Sequence, residues 1–207
     1  MYLYLSSFLL GSKSRELTSL MRIPKVAVIA NALDHTAPSI RSSYADGQIL
    51  EFRQLGFDAD ELDLREYFDA PRRLPATLDT YGLVWVTGGN VFLLRRAMRL
   101  SGFDAHIVAE KKRDGLVYGG FSAGACVTGP TLRGFEIVDD LEATAEGYTD
   151  DIIWDGLGLV SYSIAPHYKS DHEDADRVDR LVQYFIDHEF RFITIRDGEA
   201  VVTTADA

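Results

Sequence analysis

Cysteine is nearly absent from this chain, with Cys126 alone among 207 residues. A single thiol excludes an intrachain disulfide and any zinc site built on four thiolates, and it fits a reducing compartment. Positive charge is also scarce: 21 Lys and Arg stand against 32 Asp and Glu, a formal charge of −11. That balance excludes a nucleic-acid backbone or an anionic membrane face as an expected partner. No apolar run approaches the roughly 18 to 20 residues of a membrane span. The opening Met1–Gly11 is apolar but has neither a basic leader nor a small-residue cleavage pattern, so Tyr2, Leu3, Tyr4 and Leu5 read as a buried first strand. Repeats, linkers and low-complexity segments are missing as well. What remains is ordinary globular composition, 46% apolar and 26% charged. These absences predict one soluble, cytoplasmic domain over residues 1–207.

Apolar runs of strand length alternate with helical patterns, the mark of a mostly parallel sheet covered by helices. Val26–Ala30 and Leu83–Thr87 are the clearest strands, with Leu116–Tyr118 a shorter one. Helices are expected over 39–55, with Ile40, Tyr44, Leu50 and Phe52 facing inward, after Asn90 as cap, and from Asp104 to Arg113. Residues 129–155, rich in Gly and acids, read as a long irregular excursion, and such loops are usually functional. Leu157–Ala165 reads as a strand. Ser170 and Glu173 match a capping box for a helix with Val178, Leu181, Val182, Phe185 and Ile186 inward. Asp197-Gly198 between two apolar runs signals a hairpin.

Gly120-Phe121-Ser122-Ala123-Gly124 fits the G-x-S-x-G nucleophile elbow, with a strand before it and a helix expected after it. Such a turn strains the serine backbone, and glycines two positions either side let strand and helix approach. A serine hydroxyl needs a base. His106 and His188 read as surface residues and His172 as solvated, while His35 sits in a loop after a strand. His167 is the best base, because it follows a strand at the carboxyl edge of the sheet. An acid must orient its ring. Glu136, Asp139 and Asp140 fall between serine and histidine; Glu136 is preferred and Asp139 second. Backbone N–H groups of Ala123 and Gly89 are candidate oxyanion donors. Cys126, one turn past Ser122, reads as a small buried residue. His167, Asp171, His172, Asp174 and Asp176 could suggest a metal, but the spacing matches no metal motif and none is expected.

Thr87-Gly88-Gly89-Asn90, Gly120–Ala125 and Pro166-His167-Tyr168 together resemble the signature blocks of the serine peptidases that include dipeptidase E and cyanophycinase. The resemblance runs on through Asn31–Asp34 and Arg196–Glu199. It implies an α/β/α sandwich akin to class I glutamine amidotransferases, with serine in place of their cysteine. It implies a catalytic triad of Ser122, His167 and an acid, oxyanion donors at Gly89 and Ala123, and no cofactor. The implied partner is a small peptide, in some members one with an N-terminal aspartate. An acidic N-terminal residue would need a cation, for which Arg196 or Arg133 is available, with Asn90 beside the substrate. A homodimer is the candidate assembly. Two other readings stand beside this one: an α/β-hydrolase esterase sharing the order serine, acid, histidine, and a catalytically silent binding module of the same superfold.

Overall fold

The computed structural model describes residues 1–112 and 115–205. Its strands are β1 (Tyr2–Ser6), β2 (Lys25–Ile29), β3 (Asp58–Glu61), β4 (Leu83–Val86), β5 (Val117–Phe121), β6 (Ser163–Ala165), β7 (Phe192–Thr194) and β8 (Ala200–Thr204). Its α-helices are α1 (Ser14–Leu20), α2 (Pro38–Gln54), α3 (Leu74–Leu78), α4 (Val91–Leu100), α5 (Phe103–Ala109), α6 (Ala123–Cys126) and α7 (Ala175–Asp187). A six-stranded sheet runs in the order β3-β2-β4-β5-β1-β8. Every pairing in it is parallel except β1 with β8.

Side chains alternate across this sheet, as the two-residue strand period requires. Leu3, Leu5, Ala27, Ile29, Val84, Val86 and Tyr118 pack on one face with residues of α4, α5 and α7. Tyr4, Val26, Val28, Leu83, Trp85 and Phe121 pack on the other, against Leu17 of α1 and Ile49 and Phe52 of α2. Burial on both faces accounts for the near-continuous apolar strands, and the result is an α/β/α sandwich.

Several elements depart from the sequence reading. In α2 the buried stripe is Arg41, Ala45, Gln48, Ile49 and Phe52, whereas Ile40 and Leu50 are 58% and 56% exposed. Two polar side chains hid the true face. Arg41 pairs with Asp34, Glu61 and Asp63, and Gln48 accepts the Trp85 indole N–H at 2.9 Å. The helix α5 ends at Ala109 and passes into a 3-10 turn; Arg113 and Asp114, its expected end, lie outside the described residues. Only Ser163–Ala165 of the 157–165 run is strand. Ser170 caps no helix: α7 starts five residues later with Asp174 at its cap position, and Ile186 is exposed. The expected hairpin is absent too. Its first arm, β7, pairs parallel with β6, while its second, β8, crosses to the main sheet and pairs with β1.

The excursion after α6 is irregular, as expected, but well anchored. Its backbone carbonyls take donors from buried arginines of α4: Arg95 reaches Asp155, and Arg96 reaches Ala143 and Thr149. The Tyr148 hydroxyl donates to the buried Asp34 carboxylate after β2. The arginine hydrogen bonds are partly buried and tie the excursion to α4 at three points.

Trp85 is fully buried and lies within 6.1 Å, ring to ring, of Tyr4, Phe52 and Phe121. Trp85→Ala should destabilise the fold by about 3–5 kcal/mol, read as a lower urea midpoint.

Candidate active site

Ser122 joins β5 to α6 with φ 49° and ψ −119°, a left-handed backbone that costs a non-glycine residue of order 1–3 kcal/mol. Its N–H donates to the carbonyls of Ser6 at 3.3 Å and Ser7 at 3.1 Å, while its own carbonyl accepts from Ala125 and Cys126. The flanking glycines are obligatory for a steric reason. A Cβ on Gly124 would lie 2.2 Å from the Val86 carbonyl oxygen, and one on Gly120 would lie 2.7 Å from the Gly124 oxygen. The buried Tyr118 hydroxyl donates to that Gly124 carbonyl at 2.8 Å and pins the start of α6. Ser122 is half-exposed between buried Phe121 and Ala123. The five-residue pattern thus lies at a sharp strand-to-helix turn with a positive φ at Ser122.

His167 lies just past β6 and Asp197 just past β7. Those strands pair in parallel, Ala165 opposite Thr194. The pairing continues beyond them, through Ile195 N–H to the Ala165 carbonyl and Tyr168 N–H to the Ile195 carbonyl. Parallel register therefore brings the two side chains together, with His167 Nδ1 2.7 Å from Asp197 Oδ1. His167 is 3% exposed. Burial pushes its pKa below the ordinary histidine value, and the Asp197 hydrogen bond pulls the other way. The His172 ring stacks on His167 at 3.7 Å, and the Phe8 edge meets both rings.

The carboxylate at His167 is thus Asp197, and none of the expected acids is bonded to that ring, although Asp139 and Asp140 line the same cleft. Glu136 is exposed and folds back to accept the Gly134 N–H of its own turn at 2.6 Å. Asp139 accepts the Val91 N–H at 2.8 Å, and burial pushes its carboxyl up to about 7. Asp140 accepts the Glu142 N–H at 2.9 Å. Arg196, expected near a substrate, is exposed and outside the cleft; its N–H donates to Glu199. Arg133 lies over the Trp154 ring instead. Asn90 lines the cleft with its amide already engaged, accepting from Leu93 N–H at 2.9 Å and donating to the Asp140 carbonyl at 2.7 Å. His172 is stacked and half-buried rather than solvated, and His106 is half-buried rather than on the surface. Cys126 is buried with its thiol toward the Ile164 carbonyl. No metal-binding cluster occurs among the described residues.

Ser122, His167, Gly89 and Ala123 line one cleft of about 430 Å³. Gly89 has φ 131°, and a Cβ there would lie 2.6 Å from the Ala32 carbonyl oxygen, so only glycine turns its amide this way. His35, Asp139, Asp140, Glu173, Asp174 and Arg177 complete the polar lining. The Arg177 guanidinium is held by Asp174 at 2.9 Å and by the Val138 carbonyl at 2.8 Å. No hydrogen bond joins Ser122 Oγ to the His167 ring among the described residues. Because Nδ1 is held by Asp197, Nε2 is the ring nitrogen left for a serine proton. Such contacts are often long without substrate.

The site defines a class: an α/β/α protein presenting a strained serine and a carboxylate-bound histidine at the carboxyl ends of its strands. The sequence matches Peptidase family S51 over residues 17–207, and the chain belongs to that family. An uncharacterized peptidase of Listeria innocua, Lin0382, is 31% identical over 127 residues, 61% of this chain and 57% of the relative. Peptidase E of Streptomyces coelicolor is 31% identical over 128 residues, 59% of this chain and 49% of the relative. The aligned region thus spans about half the length of these curated relatives. Among solved structures, a putative peptidase E protein from Listeria monocytogenes superposes with a TM-score of 0.74 at 23% identity, covering 99% of this chain and 98% of that one. A peptidase from an acI-B1 Actinobacterium gives 0.71 at 17% identity, covering 100% and 84%. Both share the fold.

A histidine whose folded pKa is depressed is neutral where its unfolded counterpart, near 6.5, takes up a proton. The unfolded state then binds more protons, so stability falls as pH drops below about 6.5. In an NMR titration the His167 ring should show a midpoint below 6.5. Asp197→Asn, removing the group that favours the cation, should move that midpoint lower still.

Proposed function

We propose that this protein is a serine peptidase that hydrolyses short peptides, with Ser122 as nucleophile, His167 as base and Asp197 as the orienting acid. The observation that carries the reading is the strained Ser122 elbow opening into the same cleft as a buried histidine bonded to a carboxylate. Family membership supports it. Asp197 accepts the Nδ1 proton and so fixes the tautomer with a lone pair on Nε2. As Ser122 Oγ attacks a peptide carbonyl, its proton passes to Nε2. The oxyanion falls to the N–H groups of Gly89 and Ala123. The C–N bond then breaks, the imidazolium gives its proton to the leaving amine, and water repeats the cycle on the acyl-enzyme ester. No cofactor enters this chemistry.

A cleft of this volume suits a short peptide. Its lining argues against selection for an N-terminal aspartate: Arg177 is the only Lys or Arg lining it among the described residues, and that guanidinium is already paired. The order serine, histidine, acid also separates this site from the α/β-hydrolases, in which the acid precedes the histidine. The peptidase is read as a soluble, cytoplasmic enzyme of one domain, consistent with a single thiol and with no described helix able to cross a membrane.

Ser122→Ala should abolish labelling by a fluorophosphonate probe and hydrolysis of a dipeptide panel. Asp197→Asn should lower kcat/KM by a factor on the order of 10⁴, whereas Glu136→Gln should leave it within about threefold of wild type. Labelling of folded Ser122→Ala at the wild-type rate would refute the assignment.

A further inference from the structure

One residue outside the proposed triad touches all three of its members. Ser7 follows β1 and is fully buried. Its hydroxyl donates to Asp197 Oδ1 at 2.7 Å, the same oxygen that receives His167 Nδ1. That hydroxyl also accepts the His167 backbone N–H at 2.7 Å. Its carbonyl accepts the Ser122 N–H at 3.1 Å, and its own N–H donates to the Glu199 carbonyl at 3.1 Å, two residues beyond the acid.

The two N–H groups it receives belong to residues in left-handed backbone, Ser122 at φ 49° and His167 at φ 59°. Neither conformation is one that an L-residue adopts without support. Ser7 therefore meets both strained positions at their backbone and the acid at its side chain.

Resting on the peptidase reading above, we infer that Ser7 is the positioning residue of the triad: its Oγ couples the His167 backbone to the Asp197 carboxylate and sets the direction and strength of their ring–carboxylate bond. It touches no substrate. Asp197 Oδ1 shares its negative charge between the Ser7 hydroxyl and the imidazole, so loss of the hydroxyl leaves more of that charge to favour the imidazolium. It also frees the His167 backbone to leave its strained conformation. The first change raises the pKa of the base; the second misplaces it relative to Ser122.

The test uses the full chain and a fluorophosphonate as probe, with labelling rate per folded molecule measured against pH for wild type, Ser7→Ala and Ser7→Cys. Thermal melting of each variant supplies the folded fraction. Ser7→Ala should label on the order of 10²-fold more slowly, the scale of a roughly 1 Å misplacement, and the acidic limb of its profile should move to higher pH. Ser7→Cys, similar in shape but a weak donor, should fall between. A merely structural role would lower the melting temperature while leaving the rate per folded molecule and the acidic limb in place, and that result would overturn the inference. If Ser7→Ala does not fold, an unshifted limb and unchanged rate in Ser7→Cys overturn it equally. A wild-type protein that fails to label refutes the peptidase reading itself, a different outcome from a labelled wild type indifferent to Ser7.

Discussion

Backbone meeting backbone behind the serine is the constraint on which the site depends. The start of α6 lies so close to β4 that a single methyl group on Gly124 would fall inside the Val86 carbonyl. That approach holds the turn after β5 tight and tips Ser122 into its left-handed conformation, at a cost the fold must offset. The offsetting contacts are polar and buried: Tyr118 to the Gly124 carbonyl, and the Ser6 and Ser7 carbonyls to the serine N–H. The strand order places β1 directly beside β5, so two of these contacts come from residues about 115 positions earlier in the chain.

The histidine is held by a different device, a short parallel pair carried outside the main sheet. Strands β6 and β7 end together, and the segments beyond them stay bonded for long enough to set His167 against Asp197. The Ser170 hydroxyl accepts the Asp197 N–H at 2.9 Å, so the acid is steadied through its backbone as well. Around this pair the cleft is rich in carboxylates, and the excursion that supplies Asp139 and Asp140 is fixed by guanidinium groups from α4. A loop of that length keeps a defined shape because several of its carbonyls are answered by charge-assisted donors.

Much of this was legible in the sequence. The elbow, the histidine after a strand and the glycine at 89 carry chemistry that few other residues would satisfy, and strand runs buried on both faces announce a covered parallel sheet. What escaped had a common cause. The Asp197-Gly198 dipeptide is a strong turn signal, and a turn residue is easily taken for nothing more; its arms in fact belong to different sheets, so local chemistry was right and pairing was wrong. Ser170 with Glu173 matched a capping box by spacing, while Ser170 instead serves the Asp197 backbone. Arg41 and Gln48 concealed the inner face of α2 because polar side chains with buried partners break an apolar stripe. Ser7 left no trace in any motif, since its importance lies in contacts some 115 to 190 residues away.

The position of β1 has a consequence for how the molecule is made. This first strand is flanked by β5 and by β8, with Leu3 opposite both Tyr118 and Thr203. During synthesis it waits, apolar and unpaired, first for a neighbour more than a hundred residues downstream and then for one near the far end. Such non-local closure is slow and leaves an open strand available to wrong partners in the interval. In order of synthesis Ser122 precedes Asp197 by 75 residues and His167 precedes it by 30, so the three side chains of the proposed triad can come together only after β7 has been made.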